Sequence, residues 1–216
     1  MAITWEHDLR AAVTESVAED GETQFIFNPQ ILDYHLQTIS TLSRDKGVHI
    51  ESDEDRAEID KKLNQLISIL EILRETHPDD QDALVRTAYA YALGYNMGLD
   101  GSEEKALELY KQAHTKTPDE PLINFLLGMF MFGTEKHHLE CKPYLETALE
   151  KGVESCRFTL GMLYIRENDN EKGKAYLKKY AEDNPDNKHA QLVWEAVERG
   201  AMNFDEKNSA KESANA

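Results

Sequence analysis

Three Leu-Gly pairs, Leu93-Gly94, Leu127-Gly128 and Leu160-Gly161, recur at spacings of 34 and then 33 residues. A repeat of that length constrains the fold strongly, because a unit so small cannot bury its own apolar face and must stack on its neighbours. Each pair sits in an amphipathic run of helical period, and the last two continue identically as Leu-Gly-Met. Downstream of each lies a second apolar stripe: Ala106, Tyr110 and Ala113; then Cys141, Leu145 and Ala148; then Gly173, Leu177 and Tyr180. Pro118, Gly152 and Pro185 close the three stripes, as expected of residues that end helices without breaking them. A glycine beside leucine lets the first helix of a pair lie close against the second, and Ala106 or Gly173 serves the same contact from the other side. Tyr110 and Leu177, four positions on, are expected to fill the space between pairs.

In residue types and spacing this resembles the tetratricopeptide repeat, Trp-x-x-Leu-Gly-x-x-Tyr, then Ala-x-x-x-Phe, then Pro, in about 34 residues. Residues 87–120 match it with Leu93, Gly94, Met97, Gly101, Ala106, Tyr110, Ala113 and Pro118. Residues 121–153 match with Leu127, Gly128, Met131, Cys141, Leu145 and Ala148, after a one-residue insertion between the helices. Residues 154–187 match with Leu160, Gly161, Tyr164, Gly173, Leu177 and Pro185. Ala90, Asn124 and Arg157 stand where the signature has Trp. The Leu-Gly phrase followed by Lys105-Ala106 or Lys172-Gly173 is also similar to the Sel1-like repeat. The resemblance implies an all-α fold: a right-handed helix-pair solenoid of about three repeats, closed by a capping helix over 188–199 that carries Ala190, Leu192, Val193, Trp194 and Val197.

Ahead of the repeats, helical spacing predicts three more helices. They cover 4–18 (Trp5, Leu9, Ala12, Val13, Val17), 30–44 (Ile31, Leu32, His35, Leu36, Ile39) and 55–77 (Ile59, Leu63, Leu66, Ile67, Leu70, Leu73). A turn falls at 47–53, and Pro78 stops the third helix, which has the place of the second half of a degenerate repeat. Period-two alternation is nearly absent, so no sheet is expected. The domain reading is therefore a helical extension over 1–80, the solenoid over 81–200, and a polar tail over 201–216 too poor in apolar residues to pack.

Charge narrows the partners. The chain carries 41 acidic against 24 basic residues, a net charge of −17. Such a surface repels phosphate backbones and anionic lipids, so neither nucleic acid nor membrane is expected as a partner. The first ten residues lack a basic-then-apolar leader, and no later run approaches the ~18 apolar residues of a membrane span. Cys141 and Cys156, fifteen positions apart, form neither a Cys-x-x-Cys pair nor a disulfide framework. A cytoplasmic protein with two reduced thiols fits best.

Catalytic and cofactor patterns are weak. His137, His138 and Cys141 form the one metal-like cluster; His137 and Cys141 could share a helix face, but a structural zinc needs four ligands and Cys141 holds a core position. Residues 96–107 offer Asn96, Asp100 and Gly101 to a calcium loop, yet Leu107 stands where the bidentate acid belongs. Gly101-Ser102 reads instead as a turn in which Ser102 caps a helix, with Glu103 and Glu104 in its first turn. Paired acids such as Asp79-Asp80 read as caps. No phosphate loop or hydrolase motif occurs. No enzyme activity, cofactor, metal or small-molecule substrate is expected.

The resemblance also implies a binding surface, since partners of such repeats lie in a concave groove lined by first helices. The matching positions here are Ala88, Tyr91 and Tyr95; Leu122, Phe125, Met129 and Phe132; and Phe158, Met162, Ile165 and Arg166. Aromatic and Met residues dominate, which suits adaptable apolar contacts. Clamps for an acidic C-terminus need Lys and Asn where Tyr91, Tyr95, Phe125 and Met129 stand, so that partner is not expected. The functional expectation is a non-catalytic adaptor or co-chaperone holding an apolar or amphipathic segment of another protein. The alternative is a structural subunit whose groove is filled by its own or a neighbour's helix.

Overall fold

A computed structural model describes residues 5–18, 20–43, 50 and 52–201. The tail expected after residue 201 and most of the turn expected at 47–53 lie outside the described residues. The chain divides into two compact units, Met1–Pro118 and Asp119–Ala216.

The first unit opens on strand-forming residues. Val-Thr-Glu-Ser-Val and Thr-Gln-Phe-Ile-Phe form β1 (Val13–Val17) and β2 (Thr23–Phe27), an antiparallel pair with Val13 opposite Phe27. The turn between them uses Gly21 at φ +87°, a conformation glycine adopts freely, and Asp20 Oδ1 accepts from the Glu22 N–H at 3.0 Å. A short 3₁₀ turn, Leu9–Ala12, precedes β1. This corrects the helix expected over 4–18 and the expectation of no sheet. Trp5, Leu9, Ala12, Val13 and Val17 do fall at helical spacing, but Leu9 and Ala12 are buried by the 3₁₀ turn while Val17 is 73% exposed. The β-branched residues found a partner strand, and Leu9 and Ala12 reach the core from the 3₁₀ turn instead of from a helix.

The helices of this unit follow their end signals. Asn28 accepts from the N–H groups of Gln30 and Ile31 to start α1 (Pro29–Leu42). Ser52 caps α2 (Asp53–Thr76), whose first turn carries Asp53, Glu54 and Asp55 against the positive helix end. Asp80 caps α3 (Gln81–Asn96) by accepting from Asp82 and Ala83 N–H, so the paired acids 79–80 do supply a cap. Gly101 at φ +74° precedes α4 (Ser102–Lys116). Ser102 is not that cap: it is the first helical residue, buried, with its hydroxyl against Gly94. The buried stripe of α2 (Ile59, Leu63, Leu66, Leu70, Leu73) packs with Leu32, Leu36 and Ile39 of α1 and Leu93 of α3 in one core.

His35 lies inside that core, fully buried, stacked on Trp5 at 5.3 Å and edge-on to Tyr34 at 5.1 Å. Among the described residues neither ring nitrogen has a hydrogen-bond partner. Burial first, then Lys62, holds its pKa below the ordinary 6.5; Asp8 opposes this and His7 contributes in both directions. A lowered pKa means that the unfolded chain takes up the proton first. His35 therefore withdraws stability as pH falls below its unfolded value and down to its folded one. The urea midpoint of the first unit, read from Trp5 fluorescence in a Trp194→Phe background, is expected to drop between about pH 7 and pH 5. His35→Phe, which keeps the stack and cannot charge, should flatten that slope. Equal slopes in the two proteins would acquit His35.

The second unit is helical throughout its described residues: α5 (Pro121–Phe132), α6 (Lys142–Glu150), α7 (Cys156–Arg166), α8 (Asn170–Asp183) and α9 (Lys188–Glu198). α5 packs on α6 and α7 on α8, and α9 closes against α8 as the expected capping helix. The glycines set the approach. A Cβ placed on Gly128 would lie 2.7 Å from Leu145 Cγ, one on Gly161 2.7 Å from Leu177 Cγ, and one on Gly173 2.9 Å from the Gly161 carbonyl. Asn168, at φ 64°, turns the chain between α7 and α8, and Asp169 accepts from Lys172 N–H to start α8. The pairs α3/α4, α5/α6 and α7/α8 are thus the three sequence repeats.

Candidate protein-interaction surface

The α5 run, Pro-Leu-Ile-Asn-Phe-Leu-Leu-Gly-Met-Phe-Met-Phe, has apolar residues on every side. A helix of that kind is expected to be enclosed. Within its own unit only one face is: Ile123, Asn124, Leu127, Gly128 and Met131 are buried. Leu122 is 56% exposed, and Phe125, Met129 and Phe132 are half-buried. Leu122, Phe125, Met129 and Phe132 fall at intervals of three and four, so they form one stripe along the helix. Thr159 of α7 meets this stripe, its Oγ1 lying 3.5 Å from Met129 Sδ.

The matching residues of α7 have a different setting. Phe158 packs against Tyr180 (ring centroids 5.4 Å) and His189 (5.5 Å), and Phe158 and Met162 lie on a core made by Ile165, Leu177, Val193 and Val197. Ile165 is 3% exposed and its Cδ1 would meet a Cβ on Gly173 at 2.7 Å, so it is core rather than groove. α9 is the physical reason: Val193, Val197 and Trp194 cover this end of the unit. Arg166 is half-buried.

In the first unit Ala88 is fully buried, which removes it from any surface. Tyr91 and Tyr95 are half-buried. The Tyr91 hydroxyl donates to Glu71 Oε1 at 3.0 Å, and Glu71 Oε2 accepts from Arg74 at 2.5 Å. Burial, then that carboxylate, pushes the Tyr91 phenol up to about 12.

The metal-like cluster takes apart. Residues 133–141 form a turn-rich loop, so His137 and Cys141 do not share a helix. His137 Nδ1 lies 3.0 Å from Glu140 Oε1, His138 Nδ1 2.7 Å from the Glu135 carbonyl, and Cys141 Sγ donates to the His138 carbonyl at 2.9 Å. Among the described residues no group of three or more His, Cys, Asp or Glu is arranged to hold a metal ion. Cys141 and Cys156 are both fully buried, and burial pushes each thiol up to about 11. A disulfide reagent at about pH 8 is therefore expected to titrate neither thiol in the native chain and both in denaturant. Fast reaction of either in the native chain would show that its helix end opens readily.

Sequence reasoning overlooked the aromatic face of the hairpin, Phe25 and Phe27. The signal was present in the alternating run Thr-Gln-Phe-Ile-Phe behind Asp20-Gly21, a turn pair.

Stacked helix pairs with packing glycines at a recurring interval define a tetratricopeptide-like fold. No family model matches the chain, and no curated protein does. Solved structures do match. One is TTC0263, a thermophilic tetratricopeptide-repeat protein from Thermus thermophilus, at 16% identity and a TM-score of 0.52, covering 78% of this chain and 91% of that one. Another is MamA, at 15% identity and a TM-score of 0.55, covering 76% of this chain and 98% of that one. Among the described residues no helix is long and apolar enough to cross a membrane.

Proposed function

We propose that this protein is a non-catalytic interaction module that holds an apolar or amphipathic segment of a partner protein against α5. The observation that carries the reading is the stripe Leu122, Phe125, Met129 and Phe132, which its own unit leaves partly uncovered. Aromatic and thioether side chains conform to varied apolar surfaces, and such a stripe calls for a cover. Phe158 and Met162, also half-buried, extend the surface within the second unit, and Tyr91 and Tyr95 on α3 are proposed as contacts of the first unit by itself. The acidic exterior keeps a loaded complex soluble. An adaptor or co-chaperone working in the cytoplasm is the form of this function that the charge and the reduced thiols support.

Recovery of a bound protein with the tagged full chain from its native cells, and loss of that protein with Leu122→Glu, tests the reading. Recovery unchanged by Leu122→Glu would mean that recognition lies away from α5.

A further inference from the structure

Pairing in the hairpin decides which backbone groups are left over. The bonds from Ala18 N–H to the Glu22 carbonyl (2.8 Å) and from Asn28 N–H to the Ala12 carbonyl (2.9 Å) bracket the ladder. With Val13 opposite Phe27, hydrogen-bonded positions alternate inward, and on β2 they are Gln24 and Ile26. Thr23, Phe25 and Phe27 therefore aim their N–H and C=O groups away from β1. Among the described residues the sheet has two strands, so no strand meets them on that side. A free edge is a template for another strand, and β2 contains neither the proline nor the lysine that commonly blunts one.

Beside this edge lies a cleft of about 390 Å³, walled by Phe25, Phe27, Leu32, Leu73, His77 and Asp80. Its floor is apolar, and Asp80, His77 and Arg86 stand at its rim with further acids just outside. Arg86, at the rim, is held by Asp33 at 2.7 and 3.1 Å, with Asp82 3.9 Å away. The carboxylates of Asp33, Asp80 and Asp82 thus surround the Arg86 guanidinium, with Lys116 Nζ on the Pro78 carbonyl (3.0 Å) as a second cation nearby, and acids outnumber bases there. Glu15 of β1, directly opposite Phe25, adds a further carboxylate on that face of the hairpin. A second copy of the chain would bring the same acidic rim and another net charge of −17 to the edge, which disfavours pairing between copies.

We propose that the β2 edge binds an extended peptide segment of a partner by strand addition, and that this segment alternates apolar residues with Lys or Arg. The backbone groups of Phe25 and Phe27 pair with it, apolar side chains enter the cleft, and cations meet the acidic rim. The site lies wholly in the first unit and is independent of the α5 stripe.

The probe is a fluorescein-labelled, terminally blocked hexapeptide of alternating Lys and Val, titrated with the full chain. Saturable binding is expected. Methylating alternate peptide nitrogens, which removes donors while leaving the protein untouched, should weaken it about tenfold or more. Replacing Lys by Glu should abolish it, and added salt should weaken it. The amide resonances of Phe25 and Phe27 should move on titration, and those of α5 should not. Phe25→Pro, at a position that donates nothing to β1, should lose binding while the rest of the hairpin ladder persists. Absence of binding up to ~1 mM peptide would overturn the proposal. So would binding indifferent to N-methylation, shifts confined to α5, or concentration-dependent dimerisation of the chain that Phe25→Pro abolishes.

Discussion

Gly161→Leu is expected to destabilise the second unit by about 3 kcal/mol. The reason is local and rigid. A Cβ at 161 would stand 2.7 Å from Leu177 Cγ, 3.0 Å from its Cδ2 and 3.2 Å from its backbone nitrogen, and Leu177 is itself 1% exposed. The leucine cannot swing away, and α8 cannot retreat without opening the Gly173 contact to the Gly161 carbonyl. Helix propensity favours replacing a mid-helix glycine by up to ~1 kcal/mol, which is smaller than the clash. For a unit of this size the loss corresponds to a fall in Tm upwards of about 12 °C. Gly128→Leu should behave alike, because its Cβ would meet Leu145 Cγ at 2.7 Å. Gly94→Ala should cost far less, since the contact there at 2.6 Å is the Ser102 hydroxyl, a short side-chain tip that can rotate. Calorimetry with Leu177→Ala added to Gly161→Leu is the decisive measurement. Making room should return part of the lost stability, and a purely additive second loss would show that the Leu-Gly register does not set the approach of α7 and α8.

Met129→Glu is expected to weaken partner binding by about a hundredfold. A carboxylate at the middle of the α5 stripe would be stripped of water by a bound apolar segment and given no counter-ion, at a cost of several kcal/mol. Against that segment, burial of the stripe contributes ~25 cal/mol per Å² before the costs of association. Met129 also touches Thr159, so the substitution can loosen α5 against α7. Leu122→Glu separates the two effects, because Leu122 is 56% exposed and its replacement leaves the core intact. Titration calorimetry with the recovered partner should show both variants weakened and Leu122→Glu melting like the parent. If Met129→Glu unfolds the unit while Leu122→Glu binds normally, the stripe is structural and the proposed function fails.

The helix ends were legible because their causes are local. Asp80, Asn28 and Asp169 each satisfy N–H groups two or three residues ahead, and Pro29, Pro121 and Pro143 fall in first turns. The packing glycines were legible because a mid-helix glycine recurring beside leucine has a single economical explanation, close approach. The surface was less legible. Position in a repeat named Ile165 as surely as Phe125, but burial at those positions depends on what packs next, and Gly173 and Leu177 of α8 together with α9 put Ile165 in the core. Ser102 was misread as a cap because its contact, Gly94, comes from another helix.

Sequence alone, then, determined the pairing of helices in three repeats and which glycines hold them together, because these rest on a spacing written along the chain. Tertiary structure alone decided that residues 13–27 make a hairpin, that His35 is sealed beneath Trp5 with no hydrogen-bond partner among the described residues, and that Ile165 is core while Phe125 is only half-buried. Those outcomes depend on which distant surface wins each apolar residue, and a run such as Trp5, Leu9, Ala12 and Val13 keeps helical spacing even where the partner strand and the core draw it into other structure.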